Sequence, residues 1–147
     1  MESIFTKKAF DGISDRVRKL TPSSGAAWGK MNITQMLHHL NLTMEAPLGK
    51  LATTGKPVFF MRMFRGVLYS DKPFSKGSPT PKDFKITTDT YNFEEEKAKV
   101  LNNLAEIFSR GIQGIFKPHV FFGELTTEQW GKHFYKHADH HLRQFGV

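Results

Sequence analysis

The sequence predicts an all-α fold, a four-helix bundle with a long insertion between its second and third helices. Three observations point there. Apolar residues recur at helical spacing in four separate segments, capping residues stand where those segments begin, and Pro- and Gly-marked stretches divide them. The 147 residues, 39% hydrophobic and 24% charged, fit one domain over 1–147 with a core of its own.

The first predicted helix covers 6–20, with Phe10, Ile13, Val17 and Leu20 on one face, and Thr21-Pro22-Ser23-Ser24-Gly25 breaks it. The second starts after Asn32, an N-cap with Gln35 three residues on as in a capping box. Its stripe is Ile33, Met36, Leu37, Leu40 and Met44, and Pro47 and Gly49 lie near its end. The third starts after Asn92. Glu94, Glu95 and Glu96 suit the positive end of its dipole, Val100, Leu104, Ile107 and Phe108 form its stripe, and Gly111 stops it. The fourth starts at Thr126 or Thr127 and ends at Gly146. In the insertion, 50–91, the stretch 58–68 reads as a short extra helix and 71–89, rich in Pro, Gly and Ser, as irregular. The apolar stretch 115–122 has no partner strand in view and reads as an ordered loop packed on the bundle.

Composition narrows the chemistry. There is no cysteine, which excludes disulfides, thiolate ligands and a cysteine nucleophile, so a metal site must use imidazole and oxygen. No apolar run of 18 residues exists to form a transmembrane helix, and the charged first 20 residues carry no signal-peptide core, so the expected location is the cytoplasm. The net charge of +7 suits anionic partners, but the basic residues are scattered, which argues against a dedicated nucleic-acid role.

The seven histidines carry the sharpest signal. At about 100° per residue, Lys132, Lys136, Asp139 and Arg143 share one side of the fourth helix. Trp130, Phe134, His137, His141 and Phe145 share the core-facing side. His137 and His141, one turn apart, can chelate one ion. Burying two imidazoles is costly without a partner, and a cation satisfies both, which outweighs the reading of a hydrogen-bonded core pair. His133 and His140 fall at the stripe's edge, where surface or supporting roles are expected. On the second helix His39 lies beside the stripe near Met36 and Thr43, whereas His38 projects toward solvent with Glu45; this favours His39 as the third ligand. Ala138 stands where a zincin has its general-base Glu, so a metalloprotease is excluded.

Trp28-Gly29-Lys30-Met31, then Gln35-Met36-Leu37 and His39, resembles the second-helix signature of an uncharacterised branch of the DinB-like superfamily. The tail resembles it too: His119, Phe121-Phe122-Gly123, Leu125-Thr126, Trp130-Gly131, Tyr135-Lys136-His137 and Asp139-His140-His141-Leu142-Arg143-Gln144-Phe145-Gly146. The resemblance implies an up-down-up-down four-helix bundle whose metal ligands are His39, His137 and His141, with Gln144 marking the register. It also implies a divalent ion such as zinc or nickel, and a homodimer; imidazole ligands suit iron as well.

Three functions follow. The first is a metal-dependent enzyme, since three protein ligands leave coordination positions open and a metal lowers the pKa of a bound water or thiol. Related branches are thiol transferases and hydrolases, which implies a small-molecule substrate and a low-molecular-weight thiol. His38, Glu45, His119, Tyr135 and His140 are chemically capable of acid–base work, and each has an equally good structural role. The second is a non-enzymatic metal or ligand binder linked to stress. The third is a basic nucleic-acid partner, whose affinity would fall steeply with salt.

Overall fold

A computed structural model describes residues 1–77, 80–86 and 88–147. The fold is all-helical, with no strand among the described residues. Helix α1 spans Lys7–Lys19, α2 Ile33–Leu48, α3 Phe93–Arg110 and α4 Thr127–Gln144.

Each helix starts where the sequence supplies a cap. Thr6 accepts from Ala9, Asn32 from Gln35 and Asn92 from Glu95, and full capping boxes close α2 and α4. At α4 the Gln129 amide donates to Thr126 Oγ1 (3.2 Å) and Gln129 Oε1 accepts from the Thr126 amide (3.0 Å). Thr126→Ala is therefore expected to cost about 1 kcal/mol in denaturant unfolding.

The stripes meet in one core. Ile13 and Val17 of α1, Met36, Leu37 and Leu40 of α2, Val100, Leu104 and Ile107 of α3, and Trp130, Phe134 and Leu142 of α4 are all buried in it. Polar ties fix the partners. Arg16 donates to Asp139 Oδ1 (2.7 Å), joining α1 to α4. Asn41, fully buried on α2, donates to the carboxylate of Glu96 on α3 (2.7 Å) and accepts from Asn103 (3.1 Å). Before α1, the chain crosses α4 at Gly131, where the Ile4 amide bonds the Gly131 carbonyl (3.0 Å). A Cβ at Gly131 would collide with Ser3 and Phe5, so only glycine permits that approach.

The insertion lies against this core. Its first part forms a 3₁₀-helix, Phe59–Leu68, rather than an α-helix. The inward side contributes buried Leu68, while Phe59, Phe60, Met63 and Phe64 are exposed. Within 71–89, expected to be irregular, Lys82–Phe84 forms a further 3₁₀ turn; Ser78, Pro79 and Thr87 lie outside the described residues. The stretch 115–122 is a loop, as expected, closed by a single antiparallel bridge between His119 and Gly123.

On the flank of α4 the structure departs from the sequence reading. Lys136, assigned to the solvent side of α4, is 5% exposed. Its Nζ donates to the carbonyls of Val67 (2.6 Å) and Ser70 (3.0 Å) and sits over the Phe74 ring. The helical wheel separates the core face from its opposite, but it cannot show that an insertion covers the flank. No helix is long and apolar enough to cross a membrane among the described residues.

Candidate metal centre

Helices α2 and α4 bring His39, His137 and His141 together, with one ligand atom from each inside a 4.8 Å cluster. His137 Nε2 lies 3.3 Å from His39 Nε2 and 3.2 Å from His141 Nε2. Three nitrogens held tetrahedrally about 2.0–2.1 Å from one zinc ion would be roughly 3.3 Å apart. The spacing fits a shared ion.

The outer nitrogens decide which way the lone pairs point. His39 Nδ1 lies 2.9 Å from the Phe84 carbonyl, which can only accept, so Nδ1 carries the proton and Nε2 the lone pair. His141 Nδ1 faces Gln144 Oε1 at 2.9 Å. The Gln144 amide nitrogen donates to the Trp28 carbonyl (2.6 Å), which fixes the carboxamide with its oxygen toward His141. Thr43 Oγ1 donates to the Leu40 carbonyl (2.9 Å) and stands 3.4 Å from His137 Nδ1, leaving its oxygen to accept from that ring. All three imidazoles thus direct Nε2 lone pairs at one another. Neutral rings so arranged repel, and a cation resolves the conflict.

Burial keeps these rings neutral. Desolvation lowers His39 below its ordinary value. Desolvation, then the neighbouring His141 and His39, lowers His137 well below it, and desolvation takes His141 to about 3. Unprotonated imidazole is the form that ligates a metal.

A cavity of about 880 Å³ opens beside the cluster. His119 and His140, two of the five acid–base candidates, line it, but His38, Glu45 and Tyr135 do not. His38 is not turned to solvent as expected. It stacks on Tyr91 (3.7 Å between ring centres), with Nδ1 3.1 Å from Glu96 Oε2. Glu45 belongs to the α2–α3 contact, near Asn103 and Lys99. His133, placed at the edge of the stripe, is buried in the cavity wall and stacks on His137 at 5.7 Å. Burial takes His133 to about 3 and His119 to about 4. His119 Nδ1 accepts from the amides of Phe121 (3.2 Å) and Phe122 (3.3 Å), so its proton resides on Nε2.

Sequence reasoning missed the orienting groups. The Phe84 carbonyl comes from the insertion, 45 positions from His39, and nothing in a helical pattern announces it. Gln144 marks the register in the sequence, and its place three residues after His141 is what brings its carboxamide to that ring.

Fold and site together define an all-helical protein with three histidines placed to hold a metal ion. The chain belongs to the family described as protein of unknown function (DUF1569), whose model matches residues 5–146. No curated protein and no solved structure matches it.

Proposed function

We propose that this chain is a single-domain, metal-dependent enzyme of the DinB-like type, an up-down-up-down four-helix bundle with His39, His137 and His141 as ligands. The observation that carries the reading is the convergence of three Nε2 lone pairs, each set by a separate Nδ1 acceptor. The ion is divalent, and imidazole ligands suit zinc, nickel or iron. Held by three protein ligands, it would keep positions open toward the cavity, where it would act as a Lewis acid on a bound water or thiol. The reaction class is transfer of a low-molecular-weight thiol to an electrophile, or hydrolysis of a small molecule, in the cytoplasm and as a homodimer. The protein's part is to hold the ligands neutral and oriented, and to supply His119 and His140 in the same cavity.

Elemental analysis of untagged protein tests this. Native protein is expected to hold one ion per chain, and His39→Ala, His137→Ala and His141→Ala each to lose it. His140→Gln, an adjacent imidazole outside the cluster, is expected to keep it. Equal loss in all four variants would show unspecific histidine binding. A metal-loaded protein inert toward thiol–electrophile pairs and model esters, yet tight for a ligand, would favour the binder over the enzyme.

A further inference from the structure

Resting on that metal reading, we infer that the cavity takes an amphiphile. Its head is an anionic, oxygen-bearing group that meets the ion at His39, His137 and His141. Its body is aliphatic or aromatic and lies along the apolar wall.

The first support is charge balance. Three neutral imidazoles leave a divalent ion with its full charge, and an uncompensated charge in an apolar enclosure is costly. No acidic residue lines the cavity among the described residues, while Lys30 and Lys85 do. The carboxylates in nearby segments are engaged elsewhere. Glu96 holds Asn41, and Asp83 accepts from the Thr54 hydroxyl and the Gly55 amide. A bound hydroxide would offset only one of the two charges, and an anionic ligand offsets it without needing to ionise water; carboxylate-type oxygens suit both the ion and the lysines.

The second support is the wall. Trp28, Met61, Leu68, Phe74, Phe84 and Phe122 surround the cavity from four separate parts of the chain. At about 880 Å³ it is within the usual range for a small-molecule site of roughly 300–1,000 Å³, far more than a small anion fills. An apolar body would occupy the remainder, each buried methylene strengthening binding about fourfold.

Trp28 and Trp130 are the chain's two tryptophans and both line the cavity, so intrinsic fluorescence reports its occupancy. Zinc-loaded protein, its metal content measured, is titrated with decanoate below its micellar range, acetate, decanol and decyltrimethylammonium. Decanoate is expected to bind at least about 100-fold more tightly than acetate, and about tenfold or more above decanol and the ammonium. His137→Ala is expected to remove most of the preference for decanoate over decanol, leaving only what Lys30 and Lys85 supply. Phe74→Ser, on the insertion rather than the core, is expected to weaken both alike. Zinc-loaded protein that prefers decanol or the ammonium, or binds acetate as well as decanoate, overturns the inference and leaves the metal centre standing. Protein that takes up no zinc overturns the metal reading and the anionic head together.

Discussion

Metal-free protein is expected to lose its fold steeply as pH drops from about 6.5 to 5, with the denaturant midpoint falling throughout that window. His119 is held at about 4 and His133 and His141 at about 3, in each case chiefly by burial, against 6.5 when unfolded. Below 6.5 the unfolded chain takes up protons that the folded chain refuses, so stability is full above that value and declines as pH falls toward the folded values. Each such group contributes about 1.4 kcal/mol per pH unit, or about 2 kcal/mol by pH 5. Three together contribute about 6 kcal/mol, comparable with the roughly 5–15 kcal/mol of a whole domain. His39 and His137, lowered in the same direction, add to it. Zinc at about 100 times its dissociation constant should add about 2.7 kcal/mol near pH 7, and should protect less in acid, where protons compete for the same nitrogens. A midpoint unchanged between pH 7 and 5 would contradict the burial of these rings.

The inward placement of the α4 histidine pair was legible in the sequence, and the reason lies in what periodicity encodes. The His137–His141 pair could be placed because a turn of helix fixes both on the face that also carries Trp130 and Phe134, and those residues are buried as the pattern requires. His39 could be separated from His38 because adjacent residues diverge by about 100°. Caps at Asn32, Asn92 and Thr126 marked the helix starts because their chemistry is local. Non-local coverage was not legible. His133 and Lys136 lie on flanks of α4 that α1 to α3 leave open, and the insertion seals them, through the Val67 and Ser70 carbonyls in the case of Lys136. Burial of His133 follows from where Leu68 and Phe74 of the insertion and His119 of the loop 115–122 lie, which has no periodic signature. The 3₁₀ form of Phe59–Leu68 was equally hidden, since its apolar residues satisfy a helical pattern of either pitch.

Gln144→Leu is expected to weaken metal binding about 10–100-fold while leaving the fold intact. The carboxamide is 4% exposed and does two things at once. Its oxygen receives the His141 Nδ1 proton, and its nitrogen is anchored on the Trp28 carbonyl. Leucine fills similar space but leaves that N–H without an acceptor, so the ring is free to rotate or to move its proton to the nitrogen that should ligate. Gln144→Glu keeps the acceptor and loses the anchor, so its affinity should stand between Gln144→Leu and the native protein. Gly29→Ala reaches the same residue from the other side. At Gly29 the backbone is left-handed (φ +86°), and a Cβ there would lie 2.5 Å from Gln144 Nε2. It should therefore displace the carboxamide and reproduce much of the Gln144→Leu loss. Competition against a chelating indicator measures all three variants. If Gln144→Leu binds zinc as tightly as native protein, the outer hydrogen bond does not set the ring, and the converging lone pairs lose one of the three groups that fix them.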